Sequence, residues 1–125
     1  MASLSITQNA TGLGSTITSN NVATGSLGVD VDEAIAIAAS DLDINVNFPV
    51  ADMTGVVILS DQDLTLETND GTVPVDTVVL VAGVTVIWFG SGAAPFLTDV
   101  TSIFATNASG SIANLQLKVV YDGTP

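Results

Sequence analysis

Apolar and polar residues alternate along much of this chain, and the alternation has a period of two. Over residues 41–48, Leu42, Ile44, Val46 and Phe48 fall on one face, while Asp41, Asp43, Asn45 and Asn47 fall on the other. That is the signature of a strand with one wet face. Pro49 is expected to end it, because a proline nitrogen cannot donate to a ladder. The unbroken run Val56-Val57-Ile58-Leu59 predicts a strand buried on both faces. Residues 63–68 alternate again, with Leu64 and Leu66 inward and Asp63, Thr65 and Glu67 outward. Further strands are expected over 77–81, 84–89 and 100–105. In the last strand Leu115, Leu117, Val119 and Tyr121 oppose Asn114, Gln116 and Lys118. The stretch 34–38, Ala-Ile-Ala-Ile-Ala, reads as a short strand or as a helical turn.

Turn chemistry separates these segments. Asn69-Asp70-Gly71 predicts a turn, since Gly accepts positive φ and Asn or Asp tolerates it. Gly90-Ser91-Gly92 is expected to form a flexible tip, and Asn107-Ala108-Ser109-Gly110 to lead into the final strand; residues 122–125 cap the end. Turns recur roughly every eight to twelve residues, which predicts an all-β fold: an antiparallel β-sandwich or jelly-roll-like barrel of about eight to nine strands. No internal repeat of fixed period is found.

Residues 1–28 break the pattern. They are mostly Ser, Thr, Asn and Gly with isolated apolar residues (Leu4, Ile6, Leu13, Ile17, Val22, Leu27), and no charged side chain precedes Asp30. Residues 3–7 alternate as a strand does. The segment is either a mobile arm or a set of short edge strands. The reading adopted is an N-terminal arm over 1–28 that gains order against the body or a neighbouring subunit, followed by a β-sandwich domain over 29–125.

Composition supports the β reading and narrows the chemistry. Hydrophobic residues make up 47% of the 125, too many for a disordered chain, and Val, Ile and Thr suit a pleated surface. Thirteen acidic residues face one basic residue, Lys118, for a net charge of −12. Phosphate backbones and anionic membranes are held by several cations, so neither nucleic acid nor membrane is an expected partner. The acidic surface keeps copies apart in solution, or attracts cations or a basic partner. No basic then apolar segment opens the chain, so no secretory signal is expected, and no run of about 18 apolar residues is present.

With no cysteine and no histidine, thiolate catalysis, Ser-His-Asp triads and the commonest zinc ligands are excluded. No phosphate-binding glycine loop is found. What remains are acidic clusters: Asp30, Asp32 and Glu33; Asp41 and Asp43; Asp61, Asp63 and Glu67; and Asp70. None has calcium-loop spacing, so solvated faces and turns are their ordinary explanation. Two carboxylates could serve a glycosidase, but such sites want an aromatic-lined cleft, and the chain has one Trp, one Tyr and four Phe. No cofactor and no catalytic residue is expected. Trp88-Phe89 is either core or an anchor at a subunit interface. Met53 is expected as core filler. Asn107 heads an Asn-Ala-Ser glycosylation pattern, as Asn9 heads Asn-Ala-Thr, but turn chemistry explains it better.

Five segments carry a resemblance: residues 64–69 (LTLETN), 76–83 (DTVVLVAG), Trp88, 99–107 (DVTSIFATN) and 117–125 (LKVVYDGTP). Together they make residues 55–125 resemble small virion proteins of tailed bacteriophages. Those are compact β-sandwich or jelly-roll proteins of heads or tails, many of which decorate or cement the capsid. The resemblance implies a non-enzymatic structural role in the virion after synthesis in a host cytoplasm. It also implies docking on a major capsid protein or other virion subunit, and a homo-oligomer, with a trimer favoured. Leu4, Ile6, Ile17 and Trp88 are the candidate interface residues. The competing readings are a tail-associated or surface module that binds carbohydrate, with Trp88 beside an acidic loop, and a hydrolase using two convergent carboxylates.

Overall fold

The computed structural model describes residues 1–90 and 92–122. Its regular elements are ten strands: β1 (Ala2–Gly12), β2 (Ser15–Gly25), β3 (Leu27–Ile35), β4 (Leu42–Asp43), β5 (Met53–Ser60), β6 (Leu64–Thr68), β7 (Thr77–Leu80), β8 (Val86–Phe89), β9 (Ile103–Thr106) and β10 (Ala113–Tyr121). Every pairing among them is antiparallel. Two four-stranded sheets, ordered β3-β10-β5-β8 and β4-β9-β6-β7, enclose one core; β1 and β2 pair only with each other. The expected sandwich therefore comprises β3 to β10, and the two remaining strands form the arm. Among the described residues no helix is long and apolar enough to cross a membrane.

Period-two patterning places the core. Leu115, Leu117 and Val119 on β10, Val56 and Ile58 on β5, Leu64 and Leu66 on β6 and Ile103 and Ala105 on β9 are all essentially without solvent contact. The rings of Phe48 and Phe96 meet edge to face at a centroid separation of 5.4 Å. Lys118, on the opposite face of β10, forms a cross-strand pair with Asp30 of β3, Nζ to Oδ1 at 3.0 Å. Both groups are well exposed, so the contribution is small.

Several segments differ from the sequence expectation. Over 41–48 only Leu42–Asp43 forms a strand, and Phe48 makes a single bridge to Val100. Asp41 and Asn45 have φ of 50° and 58°, and the Asp43 carboxylate accepts the Asn45 N–H at 2.8 Å, a local bond that competes with the ladder. The alternation still places Ile44 and Phe48 in the core and Val46 half-buried, but Leu42 is 41% exposed. On β5 only one face is fully buried, since Val57 and Leu59 are half-buried. The 34–38 stretch is the end of β3 followed by a turn, closed by Ala39 N–H on the Ala36 carbonyl at 3.1 Å with Ala38 at φ 60°.

At 69–71 the positive φ (68°) is at Asn69 rather than Gly71. Gly71 is small for another reason: a Cβ there would lie 3.0 Å from the Asp41 side chain. The expected strands 77–81, 84–89 and 100–105 are trimmed or shifted to β7, β8 and β9. Of the expected flexible tip, Ser91 lies outside the described residues, as do 123–125 of the expected C-terminal cap.

Candidate functional site

The most distinctive feature is the hairpin made by β1 and β2. Eleven residue pairs run from Ala2 opposite Gly25 to Gly12 opposite Ser15, leaving Leu13-Gly14 as the connecting turn. Both turn residues have positive φ (52° and 93°), the two-residue hairpin turn whose twist matches its strands. Leu13 pays steric strain there, while Gly14 does not.

Directly opposed residues share a face, so the register defines the hairpin's two faces. One carries Ser3, Ser5, Thr7, Asn9 and Thr11 opposite Thr24, Val22, Asn20, Thr18 and Thr16. Its side chains bond across the strands: Thr7 Oγ1 donates to Asn20 Oδ1 at 2.8 Å and Thr18 Oγ1 to Asn9 Oδ1 at 2.9 Å. The other face begins with Ala2/Gly25 and Leu4/Ala23, continues through Ile6/Asn21, and ends with Ala10/Ile17 and Gly12/Ser15.

That second face docks the base of the hairpin on the outer side of the β3-β10-β5-β8 sheet. Ala23 is buried, and Ala2, Leu4 and Ile6 are half-buried. Contact is close because Gly55 has no side chain: a Cβ there would lie 2.5 Å from the Ala23 Cβ and 3.1 Å from the Phe89 ring. Thr54 Oγ1 donates to the Thr24 carbonyl at 3.1 Å, and Ser26 N–H to Asp122 Oδ1 at 3.2 Å. Beyond the base every residue from Thr7 to Asn20 is exposed. At about 3.4 Å per residue, the strands reach about 20 Å past Thr7.

The four candidate interface residues therefore part company. Leu4 and Ile6 hold the hairpin to its own body. Ile17 is 70% exposed on the free portion. Trp88 is half-buried and packs against the core, its Nε1–H on the Gly92 carbonyl at 3.3 Å. Leu13, at the fully exposed tip, was missed by sequence reasoning; its position just before Gly14 in a two-residue turn is the signal that finds it.

No family model, curated protein or solved structure matches this chain.

Several of the acidic residues tie down loops. Asp61 accepts both the backbone N–H (2.8 Å) and the side-chain amide (2.7 Å) of Asn114, and these bonds hold its carboxyl below the usual value. Asp70 accepts the N–H groups of Thr72 and Val73 and is lowered for that reason. Asp63, Asp76 and Asp99 accept the N–H groups of Ala82, Leu97 and Val50. Glu67 differs: burial first, and the Asp41 carboxylate beside it second, push its pKa up. Among the described residues no group of three or more potential ligands is arranged to hold a metal ion.

Asn107 is the other polar focus. It is 1% exposed. Its Nδ2 donates to the carbonyls of Ile35 (3.1 Å), Ala36 (3.2 Å) and Ser111 (2.8 Å), and its Oδ1 accepts from Ser109 N–H and Oγ. The expected turn chemistry is present, and the same side chain ties the 107–111 turn to the end of β3.

Proposed function

We propose that this chain is a non-enzymatic structural subunit of a bacteriophage virion, decorating or cementing a capsid through its β1–β2 hairpin. The observation that carries this reading is the free length of the hairpin. Exposed strands are normally covered, shortened or charged; here the segment 7–20 is long and uncharged, and although its two strands pair with each other every residue in it is exposed. Such a segment suits docking on another protein by strand addition.

The sandwich behind it suits a scaffold. Its core is continuous, its loops are held by carboxylate–amide bonds, and its charge of −12 repels other copies and particles outside the docking geometry. The resemblance of residues 55–125 to small phage virion proteins agrees with this role, and a capsid protein or other virion subunit is the partner it implies. A carbohydrate-binding module is less well supported, because Trp88 packs inward instead of standing beside an acidic loop.

The test is co-sedimentation with phage heads stripped of their decoration layer. The wild-type chain should bind in stoichiometric amounts, and Ile17→Lys should bind at least about tenfold more weakly. Absence of binding, or equal binding by the variant, would remove the proposal. Trp88 fluorescence quenched by a glycan would favour the carbohydrate reading.

A further inference from the structure

Four strands lie at the edges of the sandwich, β3 and β8 on one sheet and β4 and β7 on the other. Three are guarded. β3 carries Asp30, Asp32 and Glu33; β4 is two residues long and includes Asp43. All four residues of β8 are half-buried. β7 is not guarded: Thr77-Val78-Val79-Leu80 has no charge, and Val79 is 68% exposed, with Val81 just beyond it at 54%.

The backbone of β7 is open as well. Thr68 N–H bonds to the Asp76 carbonyl at 2.9 Å, and antiparallel ladder bonds alternate. The bonded pairs are therefore Leu66/Val78 and Leu64/Leu80 of the β6–β7 register. The N–H and C=O groups of Thr77 and Val79 point away from β6, and they have no partner among the described residues. Beside them runs a shallow groove of about 260 Å³ lined by Thr65, Val79, Val81, Thr106 and Ala108, with one acidic residue, Asp63, whose carboxylate accepts the Ala82 N–H at 2.9 Å.

We infer that the β7 edge is the acceptor for the β1–β2 hairpin of a second copy of this chain. This rests on reading the hairpin as a docking element. Charge selects the occupant: all thirteen acidic residues lie between Asp30 and Asp122, and the hairpin has no charged side chain. Direct body-to-body pairing of two β7 edges would press together two bodies of −12 each. The hairpin instead places a neutral strand on the neutral edge. Its free reach of about 20 Å exceeds the Debye length of about 8 Å at physiological ionic strength, so much of the repulsion is screened. Ile17 and Ala10, on the face that packs against the chain's own sheet at the base, are the side chains that enter the groove. Each copy then donates one hairpin and accepts one, a heterologous contact that links copies head to tail.

The decisive experiment is complementation, read by sedimentation equilibrium of the full-length chain. One variant has a blocked arm (Ile17→Lys); the other has a blocked edge (Val79→Lys with Val81→Lys). All three positions are exposed, and added lysines reduce the net negative charge, so lost association cannot come from added repulsion. The wild type should be an oligomer, and each variant alone should dissociate at least about tenfold more readily. An equal mixture should recover a species with one working arm on one working edge. A monomeric wild type, an edge variant of unchanged mass, or a mixture that stays monomeric would overturn the inference. Head binding by a monomeric wild type would leave the capsid reading standing without it; self-association without head binding would do the reverse.

Discussion

Replacing Asn107 by Ala should be among the most damaging single changes to this domain that leaves the aliphatic core intact. The side chain is buried and bonds through both ends: its amide hydrogens serve three carbonyls, and its oxygen accepts from Ser109 N–H and Oγ. Two amide hydrogens make at most two full bonds, so about four interactions are lost at about 1 kcal/mol each. The 107–111 turn lies near the surface, and water returning to Ser109 and Ser111 recovers part of this. The expected loss is about 3 kcal/mol, a large share of the roughly 5–15 kcal/mol that holds a typical domain folded. Urea unfolding followed by Trp88 fluorescence reads it directly: the midpoint should fall with little change in slope. Asn107→Asp is the sharper companion, because it keeps the shape but turns an acceptor toward the carbonyls of Ile35, Ala36 and Ser111. It should cost at least as much at neutral pH and recover partly on acidification. A loss under about 1 kcal/mol for Asn107→Ala would show that the turn is not tied to β3 through this side chain.

Other perturbations follow from the same geometry. The Glu67 pKa is raised in the folded chain, so the folded state binds this proton more tightly and stability rises as pH falls toward the ordinary value of 4.5. Glu67→Gln should raise the melting temperature at neutral pH and flatten this rise; a lower melting temperature at neutral pH would contradict it. Asp61 and Asp70 are lowered, and their contribution, present above the ordinary value of 3.8, is lost as pH falls below it. Removing either carboxylate should weaken the steepest acid limb of a melting-temperature profile. Gly55→Ala would place a methyl group 2.5 Å from the Ala23 Cβ. It should cost about 1–3 kcal/mol and speed proteolysis near residues 22–26, whereas an unchanged cleavage rate would mean that the hairpin base is not seated there.

Sequence patterning made the body legible and the arm only partly so. Leu115, Leu117 and Val119 fill one face of β10 as their spacing requires, because burial on that face outweighs every local preference. Residues 41–48 show where local bonding overrides the alternation. Their alternation placed Ile44 and Phe48 in the core, but Asp43 and Asn45 prefer local side-chain bonds to a ladder, and the strand shrinks to two residues. β3 was obscured because Glu33 falls at an inward position between Val31 and Ile35, although Asp30 and Asp32 alternate correctly with Val29 and Val31. The hairpin gave the weakest signal: over 7–20 it has no buried face, so nothing in that stretch records which side points inward. Its pairing depends on the Leu13-Gly14 turn and on cross-strand Thr–Asn bonds, not on hydrophobic period. The Thr77–Val79 edge was legible as a strand, but that it lies at a sheet edge is a property of topology alone.

We propose that the free part of the hairpin is the docking element. Amide hydrogen exchange, comparing the free protein with the protein assembled on phage heads, tests it most directly. Free protein should exchange quickly along the outward-facing amides of residues 7–20. On assembly those amides should slow by about a hundredfold or more, as expected for a strand whose opening then costs about 3 kcal/mol. Assembly that protects the sandwich surface while residues 7–20 exchange as in the free protein would contradict the claim.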